Sequence, residues 1–280
     1  MNSSGLTIFL MQLLKYATSD NTPRSWHSDE FGQVPIIKEI ARYNFFNIFN
    51  MYCPNISLFN SGSLEEGRNI SDDQIIEAGY TRSFPIYLIN FNAFPQRRAA
   101  LKALKSWLYN ALEPYYLTHD FILPQLASVI TEIAKNSADH TSGSGFIGLD
   151  IIHTSLEDVK ICFSIGDLGI GINQNIKNHL SAEQIEKRFK FWDLTQTYRE
   201  ALSRGFTTKE ESMENKGLGM SLILDGARGI NLSLSVFDAN SRGILNNITS
   251  MSHSDIRRNF YNTGREVGFY YYGELNAKKI

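Results

Sequence analysis

The sequence predicts an α/β protein, and three patterns carry that reading. Two helices with regular apolar stripes open at Pro95 and Pro124, an alternating strand runs from Val159 to Ile165, and a glycine loop at Lys216 to Ser221 leads straight into a further helix. All seven prolines lie before residue 125 and fifteen of the twenty glycines after it, so the two parts obey different turn chemistry. A soft boundary near Pro95 divides an N-terminal α+β region, residues 1–95, from a larger unit, residues 96–280.

Upstream of that boundary, Ile36 to Phe49 and Asp72 to Ala78 read as helices, and Phe84 to Phe91 reads as a strand interrupted by Pro85. The apolar run Leu6 to Lys15 lacks a basic leader, is too short to span a bilayer and precedes no small-residue cleavage site; it reads as an amphipathic core helix. Downstream, Leu101, Leu104, Leu108 and Ala111 keep helical spacing, which leaves Arg97, Arg98, Lys102 and Lys105 as a solvated basic face. The helix opened by Pro124 buries Leu126, Val129, Ile130 and Ile133 and ends near Gly143. Strands follow at Phe146 to Ile152 and Val159 to Ile165, the second placing Val159, Ile161, Phe163 and Ile165 on one face. Ser181 with Gln184 three residues on makes a capping-box helix start, Ser221 to Ala227 reads as a short helix, and Leu232 to Phe237 and Val267 to Tyr272 as strands.

Composition excludes several classes of function. Hydrophobic residues make up 42% and charged residues 20% of 280, an ordinary globular balance that rules out global disorder. With 27 Lys and Arg against 29 Asp and Glu, the net charge of −2 lacks the basic excess needed to neutralise a phosphate backbone, so no nucleic-acid partner is expected. Two cysteines, Cys53 and Cys162, form neither a CxxC pair nor a disulfide framework, which fits a reducing, cytoplasmic setting with no membrane anchor.

Three segments have the makings of chemistry. Glu132, Asn136, Asp139 and His140 follow at steps of four, three and one, which puts a polar strip on one helical face beside the apolar stripe. Gly166-Asp167-Leu168-Gly169-Ile170-Gly171 ends the Val159 strand with a carboxylate that can accept from a ligand amine, next to glycines that let the backbone turn against that ligand. Lys216-Gly217-Leu218-Gly219-Met220-Ser221 presents unpaired amides at a helix N-terminus, a setting that favours anions, yet it matches neither the Walker nor the Rossmann pattern.

In this order and spacing, Glu132 to His140, Asp167 to Gly171 and Gly217 to Met220 resemble the N, G1 and G2 boxes of the GHKL ATPases, the superfamily that includes gyrase, heat-shock chaperones and histidine kinases. Gly205-Phe206-Thr207-Thr208-Lys209 resembles the phenylalanine-containing lid segment of histidine kinases. The resemblance covers roughly residues 97 to 275. It implies a two-layer α/β sandwich of Bergerat type, with a mixed sheet, helices layered on one face, and ATP between the helices and a lid spanning residues 172–216. It further implies that Asp167 contacts the adenine amino group, that Asn136 helps hold Mg2+, and that Glu132 acts as the base. Gly217 and Gly219 would face the phosphates, and Gly169 and Gly171 would shape the adenine pocket. Asp139, Lys209 and Lys216 join the nucleotide-binding set by the same resemblance.

The family usually places a Gly-Thr pair before its last strand, whereas here Arg242-Gly243-Ile244 leads into a polar stretch. His119-Asp120, with Pro124 five residues after the histidine, is similar to a phosphoacceptor box. It lies only thirteen residues before Glu132, which favours a structural role for His119. His27, His153, His179 and His253 have no motif around them. The reading that results is an ATP-binding, Mg-dependent ATPase of signalling or regulatory type, with a protein partner engaged through residues 1–95. The alternatives are a serine/threonine kinase resembling the anti-sigma factors and a nonenzymatic nucleotide-dependent binding module.

Overall fold

A computed structural model of the chain describes residues 81–90, 97–113, 121–140, 144–169, 219–238, 243–245, 247–249 and 269–278, with isolated positions at Thr7, Leu10, Leu14, Ile48, Phe49, Gly171, Asn175 and Asn178. In chain order the elements are β1 (Thr81–Ser83), β2 (Tyr87–Asn90), α1 (Arg97–Leu112), α2 (Ile122–His140), β3 (Ser144–His153), β4 (Asp158–Asp167), α3 (Gly219–Gly229), β5 (Ser233–Asp238), β6 (Gly243–Leu245) and β7 (Phe269–Lys278). The fold is α/β, as its periodicities require.

Apolar positions at helical spacing put Leu104 and Leu108 of α1, Leu126, Ile130 and Ile133 of α2, and Ile223 and Ala227 of α3 in one core. The opposing wall is the face of the sheet formed by Leu149, Ile151, Val159, Ile161, Phe163, Ile165, Leu234, Val236 and Tyr271. Alternation along β4 holds as the sequence predicts, since every second residue from Val159 to Ile165 reaches this core. Pro124 lies in the first turn of α2, where its missing N–H would have had no helical partner.

The seven-stranded sheet runs in the order β1-β3-β4-β7-β5-β6, with β2 also pairing β3. Every pairing among the described strands is antiparallel, which corrects the expectation of a mixed sheet. The reason is the place of β7. β4 and β5 point the same way, but β7 lies between them and pairs antiparallel with both, so the two never share a ladder.

Of the expected Phe84 to Phe91 strand, Tyr87–Asn90 forms β2, and β1, Thr81–Ser83, precedes it on the same edge; Phe91 lies outside the described residues. Phe84, Pro85 and Ile86 stand opposite Gly148 and Leu149, three residues against two, because the register shifts by one between β1 and β2. That is a bulge at the proline, which has no N–H for the ladder; the Phe84 amide still donates to the Leu149 carbonyl at 2.9 Å.

The sheet's second face is also buried at its centre. Phe146, Asp150, Cys162 and Ser164 are at most 1% exposed, more burial than a bare two-layer sandwich leaves on that face. Toward β7 it opens onto polar groups, with Lys160 and Glu274 paired at 2.9 Å and the Tyr272 hydroxyl donating to Glu274 at 2.7 Å. Thr7, Leu10 and Leu14 are helical and buried, at the spacing of an amphipathic helix. Among the described residues, no helix is long and apolar enough to cross a membrane.

Candidate functional site

β4 carries Asp167 out of the core at its last position. The side chain continues the row of Ile161, Phe163 and Ile165 and therefore faces the helices, and it is 3% exposed. The chain bends immediately afterwards, and Oδ1 of Asp167 accepts the Gly169 amide at 2.9 Å, an Asx turn closed by the strand's own terminal residue. Burial pushes the Asp167 carboxyl up to about 7, against the pull of the Gly169 amide and the Ser137 hydroxyl, and the negative charge of Asp238 adds to the rise.

Asp238 is the partner that the sequence reading missed. It ends β5 as Asp167 ends β4, and both align with Phe269 of the intervening β7. Two buried carboxylates thus stand at the same end of the sheet on either side of one strand. A signal was present, since each aspartate follows an alternating strand whose apolar row it continues. Gly171 closes against the second carboxylate. Its φ is +78°, and a methyl group on its Cα would stand 2.7 Å from Asp238 Oδ1, so conformation and space both demand glycine.

The helices enter through α2 and α3. Ser137 of α2 is buried on the sheet side and reaches Asp167. Asn136, half-buried, donates through Nδ2 to the Met220 sulfur at 3.9 Å, a long contact. The Tyr271 hydroxyl of β7 donates to the same sulfur at 3.1 Å. Tyr271 is fully buried, and burial together with the nearby Asp167 charge holds its phenol well above the ordinary range. Met220 is the second residue of α3, so these contacts fix the N-terminus of that helix beside Asn136. Tyr271 carried no sequence signal, and Ser137 and Met220 lie inside the segments that the sequence singles out without a role of their own there, because a core methionine, tyrosine or serine is indistinguishable from ordinary packing until its neighbours are known.

Glu132 takes a different direction. It is half-buried, pairs with Lys135 at 3.4 Å and lines the groove between α1 and α2. The structure therefore gathers Asp167, Gly169, Gly171, Ser137 and Asp238 in one cluster, joined through Tyr271 and Met220 to Asn136, while Glu132 faces α1. Asp139 and Gly219 lie in α2 and α3, with nothing described of their side-chain surroundings. Lys209, Lys216, Gly217, His119, the Ser181 helix and nearly all of the 172–216 segment fall outside the described residues. The late Arg242-Gly243-Ile244 segment contributes Gly243 and Ile244 to β6, an edge strand on β5. Among the described residues, no group of three or more His, Cys, Asp or Glu side chains is placed to hold a metal ion.

No protein-family model matches the chain, and no curated protein matches it. Among solved structures, the chain is similar to the mycobacterial sensor histidine kinase MprB at 10% identity, over 69% of this chain and 100% of that one, with a TM-score of 0.32.

Proposed function

We propose that the chain is an ATP-binding, magnesium-dependent regulatory protein in which nucleotide closes the 172–216 segment and alters a surface read by a protein partner. The observation that carries this reading is Asp167, a buried acceptor with its carboxyl pushed up to about 7 beside a second buried carboxylate, at a strand end bordered by glycines. A neutral ligand edge bearing an N–H donor relieves that arrangement, and the amino group of adenine is such a donor. Guanine has a carbonyl in the same place and meets a carboxylate with like polarity.

The remaining residues fit the rest of a nucleotide. The N-terminus of α3, with no acidic residue in its first turn, favours phosphate oxygens at Gly217 and Gly219. Asn136 gives its amide nitrogen to Met220, which leaves its carbonyl oxygen for a cation. Magnesium normally arrives with phosphate oxygens and water and takes few protein ligands, so one amide oxygen matches its habit. The ion would supply charge neutralisation along the phosphates. Glu132, one turn before Asn136, would take the proton from the attacking group, and Asp139, Lys209 and Lys216 would complete the binding set.

A second reading, transfer to a serine or threonine hydroxyl of a protein, is favoured by the position of Glu132 on an open groove rather than inside the Asp167 cluster. One experiment addresses both. With γ-labelled ATP and magnesium, Glu132→Gln is expected to bind nucleotide within about tenfold of the native affinity while label release to water or protein falls about 10²- to 10⁴-fold. Undiminished turnover with intact binding removes Glu132 as the base.

A further inference from the structure

The groove between α1 and α2 is separate from the Asp167 cluster and has a charge pattern of its own. Along α1, Arg98, Lys102, Lys105 and Tyr109 follow at steps of four, three and four and form one stripe. All four are exposed, and with Leu101 and the Glu132 carboxylate opposite they line a groove of about 570 Å³.

Among the described residues, Arg98, Lys102 and Lys105 engage no ion pair and no hydrogen bond, whereas Lys135 and Lys160 are both paired. Arg98 and Lys102 are also like charges one helical turn apart. The helix has no acidic residue in its first turn and no basic residue in its last, so its charge runs against its dipole. Positive potential from the α1 N-terminus adds to that of the side chains, in a molecule whose net charge is −2. A solvated basic face needs none of this, since an exposed helix of such charge pattern is less stable than its reverse.

We propose that this groove is the docking site for an extended acidic segment of a partner protein. Along the helix axis the cations lie about 6 and 4.5 Å apart at 1.5 Å per residue, while every second residue of an extended strand is about 6.6 Å apart. Three acids at alternate positions therefore fall within reach of the three flexible cations. The intervening residues lie against Leu101 and Tyr109, and the residue opposite Glu132 is uncharged, because an acid there meets a carboxylate. A nucleic-acid strand suits the groove less well, with one aromatic ring for stacking and the Glu132 charge facing the phosphates. The proposal does not depend on the nucleotide reading; Glu132 is the one residue common to both.

The test uses the full chain without nucleotide and a fluorescein-labelled peptide with aspartate at every second position and leucine between. Saturable binding is expected, weakening as salt is raised, and weakening about tenfold or more in the variant carrying Arg98→Glu and Lys102→Glu. Lys278→Glu, an exposed charge reversal on β7, is expected to bind as the native chain does. Both variants change exposed side chains, and a melting curve for each confirms the fold, with Arg98→Glu expected to melt no lower than native. Asp167→Asn is expected to retain peptide binding whatever becomes of its nucleotide binding, so failure of the nucleotide reading leaves this one standing. Absence of peptide binding by the native chain, equal binding by the double variant, or tighter binding of an oligothymidylate of equal charge would each overturn the proposal.

Discussion

Asp167 combines burial, which disfavours its charge, with an amide and a hydroxyl that hold the charge in place. In the unfolded chain its carboxyl titrates near 3.8, and in the folded protein near 7. The folded state therefore binds more protons between those values, and the group's contribution to stability is full below 3.8 and is lost as pH rises through about 7. Asp167→Asn is accordingly expected to melt higher than the native protein at pH 8, with the difference shrinking toward pH 4. Thermal melts across that range measure it, and a difference independent of pH would place the carboxylate in solvent. Gly171 offers a second residue-scale test. Alanine there adopts a left-handed conformation and meets Asp238, so Gly171→Ala is expected to lower stability by about 1–3 kcal/mol in denaturant titration.

Elements meet at two junctions that can be tested in the same way. Met220 receives hydrogen bonds from Asn136 of α2 and Tyr271 of β7 and so ties α3 to both. Met220→Leu conserves volume but removes the sulfur that accepts from the buried Tyr271 hydroxyl, which is expected to cost about 1 kcal/mol. In the Tyr271→Phe background the same change is expected to cost less, and equal costs in a double-mutant cycle would mean that the sulfur contact contributes nothing. At the centre of the sheet, Gly273 of β7 stands opposite Phe163 of β4, and the Phe163 ring fills the space where a Cβ would be. Gly273→Ala is expected to destabilise by about 1–3 kcal/mol through overpacking, and Phe163→Leu in the same chain to recover part of the loss.

Across the whole molecule, what was legible in the sequence was what local pattern encodes. The stripes of α1 and α2, the alternation of β4 and the helix after Lys216 all follow from periods of 3.6 and 2 along short stretches of chain. Strand order does not. β7 enters between β4 and β5 from more than thirty residues away in sequence, and no local pattern announces that a late strand will separate two strands of the same direction. The bulge at Pro85 was half legible, since proline marked the break without giving the one-residue slip in register. β6 is three residues long and too short for any period to show. In the site, Asp167 was visible because glycines surround it, whereas Asp238 looked like one more strand end until the sheet put it beside Gly171. The basic stripe of α1 was visible as well, but only the groove, and the absence of ion pairs to its cations among the described residues, separate a binding surface from a solvated one.

The central claim is that the buried carboxylate at the end of β4 recognises the amino edge of adenine. Calorimetric titration with ATP and magnesium, against GTP under the same conditions and against Asp167→Asn whose fold is confirmed by melting, tests it most directly. The account predicts ATP binding that strengthens as pH rises through about 7, where Asp167 becomes ionised, GTP binding weaker by about tenfold or more, and no measurable ATP binding by the variant. Equal affinity for ATP in the native protein and in Asp167→Asn would contradict it.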